Sequence, residues 1–284
     1  MPVDKTVPKV WNVILKRRED WNVVVYTGLA LFAGAGGLEL GLSLALGTDY
    51  RPVAYVEREC TSAAVLAANM ERGWLDKAPI WDDVTTFTGD VVSPLVDNID
   101  IVTAGFPCQP WSVAGNRKGT EDERWLWPHI FGLVREIRPR SIFLENVPGL
   151  LHGGIEHVLG DLASVGFDAE WGSIRASDVG APHRRERVFI LGYTDGKGLE
   201  GWQQPVRQSS DERPAWPPSP ANTDAWKKVS EQYYPATKPP VRGVANGLAR
   251  GLGEADKLRI LGNGVVPQQA ALAYTLLSGR ISNS

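Results

Sequence analysis

From residue 23 to residue 192, short apolar runs alternate with helical patterns, and most of the apolar runs end at glycine or an acidic residue. The stretch Val23-Val24-Val25-Tyr26 through Leu29-Ala30-Leu31-Phe32 reads as a buried strand closed by Gly34-Ala35-Gly36-Gly37. Leu38, Leu42, Leu44 and Leu46 then suggest a helix that Gly47 stops. Val53-Ala54-Tyr55-Val56 is a second strand ending in Glu57, and the alanine-rich stretch from Thr61 to Met70 is a helix. A short third strand at Ile80-Trp81 precedes Asp82-Asp83, and residues 99–104 form a fourth that runs into Gly105-Phe106-Pro107-Cys108. Ser141-Ile142-Phe143-Leu144 is a fifth, ending at Glu145-Asn146, and residues 170–174 and 188–191 supply two more. Such alternation predicts an α/β fold with a mostly parallel sheet. Ligands of these sheets bind at the carboxyl ends of the strands, where Glu57, Asp83, Cys108 and Glu145 all fall.

The pattern changes after Gly192. Eight prolines lie between Thr194 and Arg242, with Trp202, Trp216 and Trp226 among polar residues. Prolines block long helices and central strands, so this stretch is expected to be a small irregular domain or a partly ordered insert. Helical pattern returns at 244–252, and 266–277 reads as a closing helix after Gly262-Asn263-Gly264. The two cysteines leave no room for a disulfide framework or a cysteine zinc site, and the four histidines lack metal-ligand spacing, so chemistry without a metal is expected. No apolar run approaches the roughly 20 residues of a membrane helix. The start, Met1 to Lys5, lacks a signal peptide's apolar stretch, and a cytoplasmic setting is expected. Net charge is −3, yet residues 171–250 hold 12 basic against 8 acidic side chains, densest at Arg184-Arg185-Glu186-Arg187. From charge alone, a solvated charged face is the better reading.

The loop Phe32-Ala33-Gly34-Ala35-Gly36-Gly37 joins a strand to a helix, where glycines let the backbone approach a ligand beside a helix dipole. A dinucleotide fingerprint would carry its third glycine where Glu39 stands, which disfavours a nicotinamide-dependent dehydrogenase. Glu57, about twenty residues on, is placed to accept hydrogen bonds from ribose hydroxyls, and Asp83 from an adenine amino group. Taken singly, the loop reads equally as a tight turn and the acids as helix caps. Together they fit an adenosine-containing cofactor with no phosphate to cradle.

Cys108 stands in Gly105-Phe106-Pro107-Cys108-Gln109-Pro110-Trp111-Ser112. Two prolines pin the backbone directly after a strand, and a rigid loop that presents a thiol suits a nucleophile better than core packing. Cys60, in its alanine-rich helix, reads as a small core hydrophobe. The run from Gly105 to Ser112 resembles the catalytic loop of the DNA (cytosine-5) methyltransferase family, and further motifs follow in that family's order. Phe32 to Gly37 resembles its cofactor loop, and Glu57 and Asp83 its ribose and adenine carboxylates. Arg124-Trp125-Leu126-Trp127 resembles the segment with a leucine near the cofactor, and Glu145-Asn146-Val147 the glutamate motif. Arg184-Arg185-Glu186-Arg187-Val188-Phe189 resembles the arginine motif, and Gly262-Asn263-Gly264-Val265-Val266-Pro267 the C-terminal cofactor motif. The resemblance covers roughly residues 25–192 and 255–280. Ala30, His183 and Gly264 stand where the family often has an acid, glutamine and serine.

The resemblance implies a Rossmann-like, mostly parallel sheet of the class I S-adenosylmethionine-dependent methyltransferases with a small irregular target-recognition region. The organisation expected is an N-terminal extension (1–22), a catalytic and cofactor domain (23–193), a target-recognition region (194–256) and a C-terminal segment (257–284) returning to the catalytic domain. It implies methyl transfer from S-adenosylmethionine to carbon 5 of a cytosine flipped out of double-stranded DNA, by a monomer without metal or membrane, in a bacterial or phage-infected cell. Carbon 5 is a poor nucleophile until a thiolate adds to carbon 6, the covalent role implied for Cys108. Glu145 would hold N3 and the exocyclic amine, Arg187 the O2 oxygen, and Arg185 would help position the base or the thiol. The cofactor would be held by Phe32, Gly34, Gly36, Gly37, Glu57, Arg58, Asp83, Val84, Pro107, Leu126, Asn263, Gly264 and Val265. Carbon 6 is inaccessible in a stacked duplex, so the base must flip, as the handling of bases by methyltransferases generally requires. Two alternatives remain open: a tRNA cytosine-5 methyltransferase, and a catalytically silent DNA-binding relative.

Overall fold

The computed structural model describes residues 26–96, 98–107, 125–181, 183–194, 260 and 262–281. Among these, seven strands form one sheet: β1 (Tyr26–Leu31), β2 (Tyr50–Val56), β3 (Ile80–Trp81), β4 (Ile101–Ala104), β5 (Ser141–Asn146), β6 (Phe167–Arg175) and β7 (Glu186–Thr194). Five helices flank it: α1 (Gly37–Leu46), α2 (Cys60–Glu71), α3 (Trp127–Ile137), α4 (Ile155–Ser164) and α5 (Pro267–Ile281). The strand order is β3-β2-β1-β4-β5-β7-β6. β1 to β5 pair in parallel, and β7 lies antiparallel to both neighbours. The expected α/β class and mostly parallel sheet are present. Strand order reverses between β1 and β4, the switch point at which open α/β sheets form a crevice.

Burial explains why the central strands read as unbroken apolar runs. β4 and β5 are buried along their whole length, because helices cover both faces of the sheet. Along β5, Ile142 and Leu144 face one layer while Phe143 faces the other. The first layer is α3 and α4, whose Ile130, Leu133, Val134, Ile137, Val158 and Leu162 are buried with Val102, Ile142 and Ile190. In the second, Leu38, Leu42 and Leu46 of α1 join Ala270, Ala273, Tyr274 and Leu277 of α5 over Ile101, Phe143, Phe189 and Leu191. Phe143 and Phe189 stack with ring centroids 5.7 Å apart, and Tyr274 meets Phe143 edge-on at 5.4 Å. Each such ring removed from water contributes about 1.5–3 kcal/mol. Gly41 sets the distance between the two helices. A Cβ there would stand 2.6 Å from the Ala270 side chain and 2.8 Å from the Pro267 carbonyl, so α5 can lie flush on α1 only where a side chain is missing.

Several elements differ from the expectations. β2 begins at Tyr50, three residues early, and β5 continues through Glu145 and Asn146 because both pair with β7, at Phe189 and Val188. Phe32 is not in β1 but at φ 53, a left-handed conformation unusual for an aromatic residue. Cys60 is not in the core. The Glu59 side chain caps α2 by accepting from Ser62 N at 2.9 Å, which leaves Cys60 on the first turn, exposed. The extension 1–22, the region 194–256 apart from Thr194, which ends β7, and the helical pattern at 244–252 lie outside the described residues. Among the described residues, no helix is long and apolar enough to cross a membrane, and no cluster of three His, Cys, Asp or Glu could hold a metal.

Candidate active site

The chain turns sharply as it leaves β1. Ala33 N donates to Val56 O at 3.1 Å, Gly36 N donates to Ala33 O at 2.8 Å, and Gly34 and Gly36 take φ values of 56 and 83. The two glycines are needed for different reasons. A Cβ on Gly36 would collide with Leu75, whereas one on Gly34 would meet nothing within 4 Å. Gly34 therefore presents bare backbone to open space, as a backbone that must admit a ligand would.

Glu57, at the end of β2, spans this turn. Its Oε2 accepts from Gly34 N at 2.7 Å and its Oε1 from Glu59 N at 2.7 Å. Burial pushes its carboxyl above the ordinary range, and the two backbone donors only partly offset that. Each oxygen keeps a lone pair for a further donor. Asp83, after β3, caps a short turn: Oδ1 accepts from Thr85 N at 2.9 Å and from Thr85 Oγ1 at 2.8 Å. Those bonds hold its carboxyl below the usual range. Arg58 Nε lies 3.8 Å from Asp83 Oδ2 and the Arg58 side chain is 83% exposed, so this pair adds little to stability. Val84 is buried in the core, so only its backbone can face a ligand. Leu126 is half-buried at the start of α3.

The second half of the site surrounds the exit of β4. Glu145 is 7% exposed, and Arg187 Nε stands 2.8 Å from its Oε1. The contact is a close ion pair between two largely buried side chains. Burial pushes the Glu145 carboxyl above its usual range, against the opposing pull of Arg187 and Arg185. A Cβ on Gly105 would stand 3.5 Å from Glu145 Oε2, so the carboxyl lies directly against the loop that leaves β4. That β7 runs antiparallel is decisive, because its beginning then lies where the parallel strands end and delivers Arg187 to Glu145.

Arg185 goes elsewhere. Its Nη1 donates to Gly262 O at 2.5 Å and its Nη2 to Gly264 O at 2.7 Å, tying the arginine motif to the C-terminal one. Gly264 N donates to Ile260 O at 2.7 Å, and a Cβ on Gly264 would crowd that same carbonyl at 2.9 Å. Asn263 is exposed and Val265 half-buried in this loop. Pro107 is half-buried after Phe106, and Cys108 lies outside the described residues.

Three buried polar neighbours of the site went unassigned in the sequence. Asn146 Nδ2 donates to Phe106 O at 3.1 Å, holding the loop that leads to Pro107, while Phe106 itself packs on Trp125 and Trp127. Its only signal was its place beside Glu145. Glu39 is 1% exposed, and Thr103 Oγ1 lies 2.6 Å from its Oε1. A charged residue between Leu38 and Leu42, on the buried stripe of a helix, was the signal there. Gln269 is fully buried, and its Nε2 donates to Ile174 O at 2.6 Å and Arg185 O at 2.9 Å.

A glycine turn at the switch point and acids after the next two strands, β2 and β3, with helices on both faces, define a Rossmann-like protein of the class I S-adenosylmethionine-dependent methyltransferase architecture. The model of the C-5 cytosine-specific DNA methylase family matches residues 26–242, and the chain belongs to that family. It is 36% identical over 170 residues to the type II methyltransferase M.NgoMIV of Neisseria gonorrhoeae, covering 58% of this chain and 51% of that protein. It is 38% identical over 169 residues to M.NaeI of Lentzea aerocolonigenes, covering 56% and 38%. The chain thus spans about half or less of the length of these curated relatives. In fold it is similar to the Dnmt2 methyltransferase of S. pombe, with a TM-score of 0.61 at 18% identity over 90% of this chain and 99% of that one. It is similar also to the Entamoeba histolytica methyltransferase EhMeth, with a TM-score of 0.60 at 15% identity, again over 90% and 99%.

Proposed function

We propose that the chain transfers a methyl group from S-adenosylmethionine to carbon 5 of a cytosine flipped out of double-stranded DNA, with Cys108 as the nucleophile. The observation that carries this reading is Glu145. It is a buried carboxyl at a strand end, paired with Arg187 at 2.8 Å and lying against the loop that leaves β4. Burying a carboxyl is costly, an arrangement that makes sense where a substrate's ring nitrogen and amine complete its hydrogen bonding.

The residues also fit the cofactor. Gly34 leaves open space, and Glu57 keeps a lone pair on each oxygen for ribose hydroxyls. Asp83 Oδ2 accepts from the adenine amino group, and Phe32, Gly36, Gly37, Arg58, Val84, Pro107, Leu126, Asn263, Gly264 and Val265 line the remainder. When bound, S-adenosylmethionine supplies an electrophilic methyl on sulfur.

The Cys108 thiolate forms a bond to carbon 6 of the cytosine ring while Glu145, its carboxyl raised by burial, gives its proton to N3. Arg187 holds O2. Carbon 5, now electron-rich, bonds to the methyl as the methyl–sulfur bond breaks. Water removes the proton from carbon 5, the sulfur–carbon 6 bond breaks to restore the thiolate, and N3 returns its proton to Glu145. Segment 194–256 serves as the target-recognition region, between the catalytic domain of 23–193 and the returning segment of 257–284, and its basic residues meet phosphates. The chain works as a monomer in the cytoplasm.

Bisulfite sequencing of DNA from cells expressing the chain tests the reading. Cytosines protected at one recurring site are expected, and none with Cys108→Ser, although that variant still binds S-adenosylhomocysteine. Protection that persists in the variant, or none with either protein, rejects it.

A further inference from the structure

Residues 262–266 join two parts of the site that are far apart in sequence. On one side, the carbonyls of Gly262 and Gly264 receive the two Nη atoms of Arg185 at 2.5 and 2.7 Å. On the other, the loop rests on the first residue of α1. A Cβ on Gly37 would stand 2.6 Å from Val265 O, so the missing side chain is what lets the loop reach the glycine turn. Gln269 completes the junction from inside, where its Nε2 donates to the backbone carbonyls of both Ile174 and Arg185.

A planar guanidinium, unlike an ammonium, reaches two carbonyls two residues apart with both hydrogen bonds aligned. Arg185 therefore has both terminal nitrogens on the 262–266 loop before any base arrives, whereas Arg187 has one terminal nitrogen on Glu186 O at 2.8 Å and its Nε facing the Glu145 carboxyl. Arg185 and Arg187 are also two residues apart at the start of one strand. Both pull the Glu145 carboxyl towards its charged form.

We propose that Arg185 is a positioning residue for the cofactor: it straps the 262–266 loop against the glycine turn, so that binding at that turn depends on the arginine motif. The base is left to Arg187 and Glu145. This inference rests on the reading of the glycine turn as the adenosine site.

The test is calorimetric titration of the full chain with S-adenosylhomocysteine, in the absence of DNA, for the unaltered protein and for Arg185→Ala, Arg185→Lys and Arg187→Ala. Arg185→Ala is expected to weaken binding about tenfold or more, the equivalent of one to two charge-assisted hydrogen bonds. Arg185→Lys should recover part of this, since one ammonium cannot bridge both carbonyls. Low-millimolar guanidinium chloride should restore part of the affinity of Arg185→Ala where sodium chloride does not. Arg187→Ala should stay within about twofold of the unaltered chain. Equal affinity in Arg185→Ala overturns the inference alone. So does a loss that neither lysine nor guanidinium repairs, which would mark a general structural defect. No binding by the unaltered chain overturns the adenosine reading and the strap together.

Discussion

Glu39 occupies the position where a dinucleotide fold would have its third glycine, and its surroundings show what replaces that glycine. Its carboxyl is fully buried, with Thr103 Oγ1 2.6 Å from Oε1 and no partner for Oε2. Burial pushes it up to about 7 from an ordinary 4.5, with the Thr103 hydrogen bond opposing. Because the folded chain binds this proton more tightly than the unfolded chain, the group's contribution to stability is fully present below about pH 4.5 and is lost as pH rises through about 7. Glu39→Gln keeps an acceptor for Thr103 and removes the titration. It should unfold in urea at nearly the same concentration as the unaltered chain at pH 5, and be more stable at pH 8 by about 1–3 kcal/mol. Parallel pH profiles for the two proteins would contradict this account. The buried hydroxyls of Tyr50 and Tyr55 are pushed up by their own burial and further by the Glu39 charge.

The strands are fastened at the edge opposite the site by Asp100. Its Oδ2 accepts from Thr27 N and from Thr27 Oγ1, both at 2.8 Å, and Arg140 Nε stands 3.4 Å from Oδ1. Asp100 N lies 2.9 Å from Thr27 O, and Ser141 N the same distance from Asp100 O, so one residue aligns the starts of β1, β4 and β5. Asp100→Ala would leave the buried Thr27 N–H without its acceptor, and should cost about 2–4 kcal/mol in chemical unfolding. The effect on activity at low temperature should be small, since the site lies at the other end of the strands; a stability change below about 0.5 kcal/mol would disprove the fastening role. Strands β1, β2, β4 and β5 were legible because burial on both faces leaves an apolar run bounded by glycine or acid. The direction of β7 was not legible. Its residues are as apolar as those of a parallel strand, and only pairing with β5 and β6 sets the direction that brings Arg187 to Glu145.

The molecule as a whole should show binding at the glycine turn as a gain in stability, because a ligand held only by the folded chain shifts unfolding by mass action. S-adenosylhomocysteine at a hundred times its dissociation constant should stabilise the chain by about 2.7 kcal/mol. Gly34→Val fills the open space with a side chain and strains a φ of 56, so the unliganded midpoint should fall modestly and the ligand-induced rise disappear. A thermal scan with and without the ligand measures both, and a rise kept in the variant would remove Gly34 from the site. The sequence alone determined the α/β class, the glycine turn and the acids after β2 and β3, because each depends on neighbours in the chain: a strand's apolar run, the φ freedom of glycine, a carboxylate after the last residue of a strand. It also marked Glu145, Arg185 and Arg187 through the order of motifs. What each of those touches was decided by contacts across long separations. Arg185 turns to Gly262 and Gly264, Asn146 to Phe106, and Gln269 to Ile174. Hydrogen-bond partners so far apart in the chain leave no periodicity behind them, and only packing α5 onto α1 and β7 onto β5 brings them within reach.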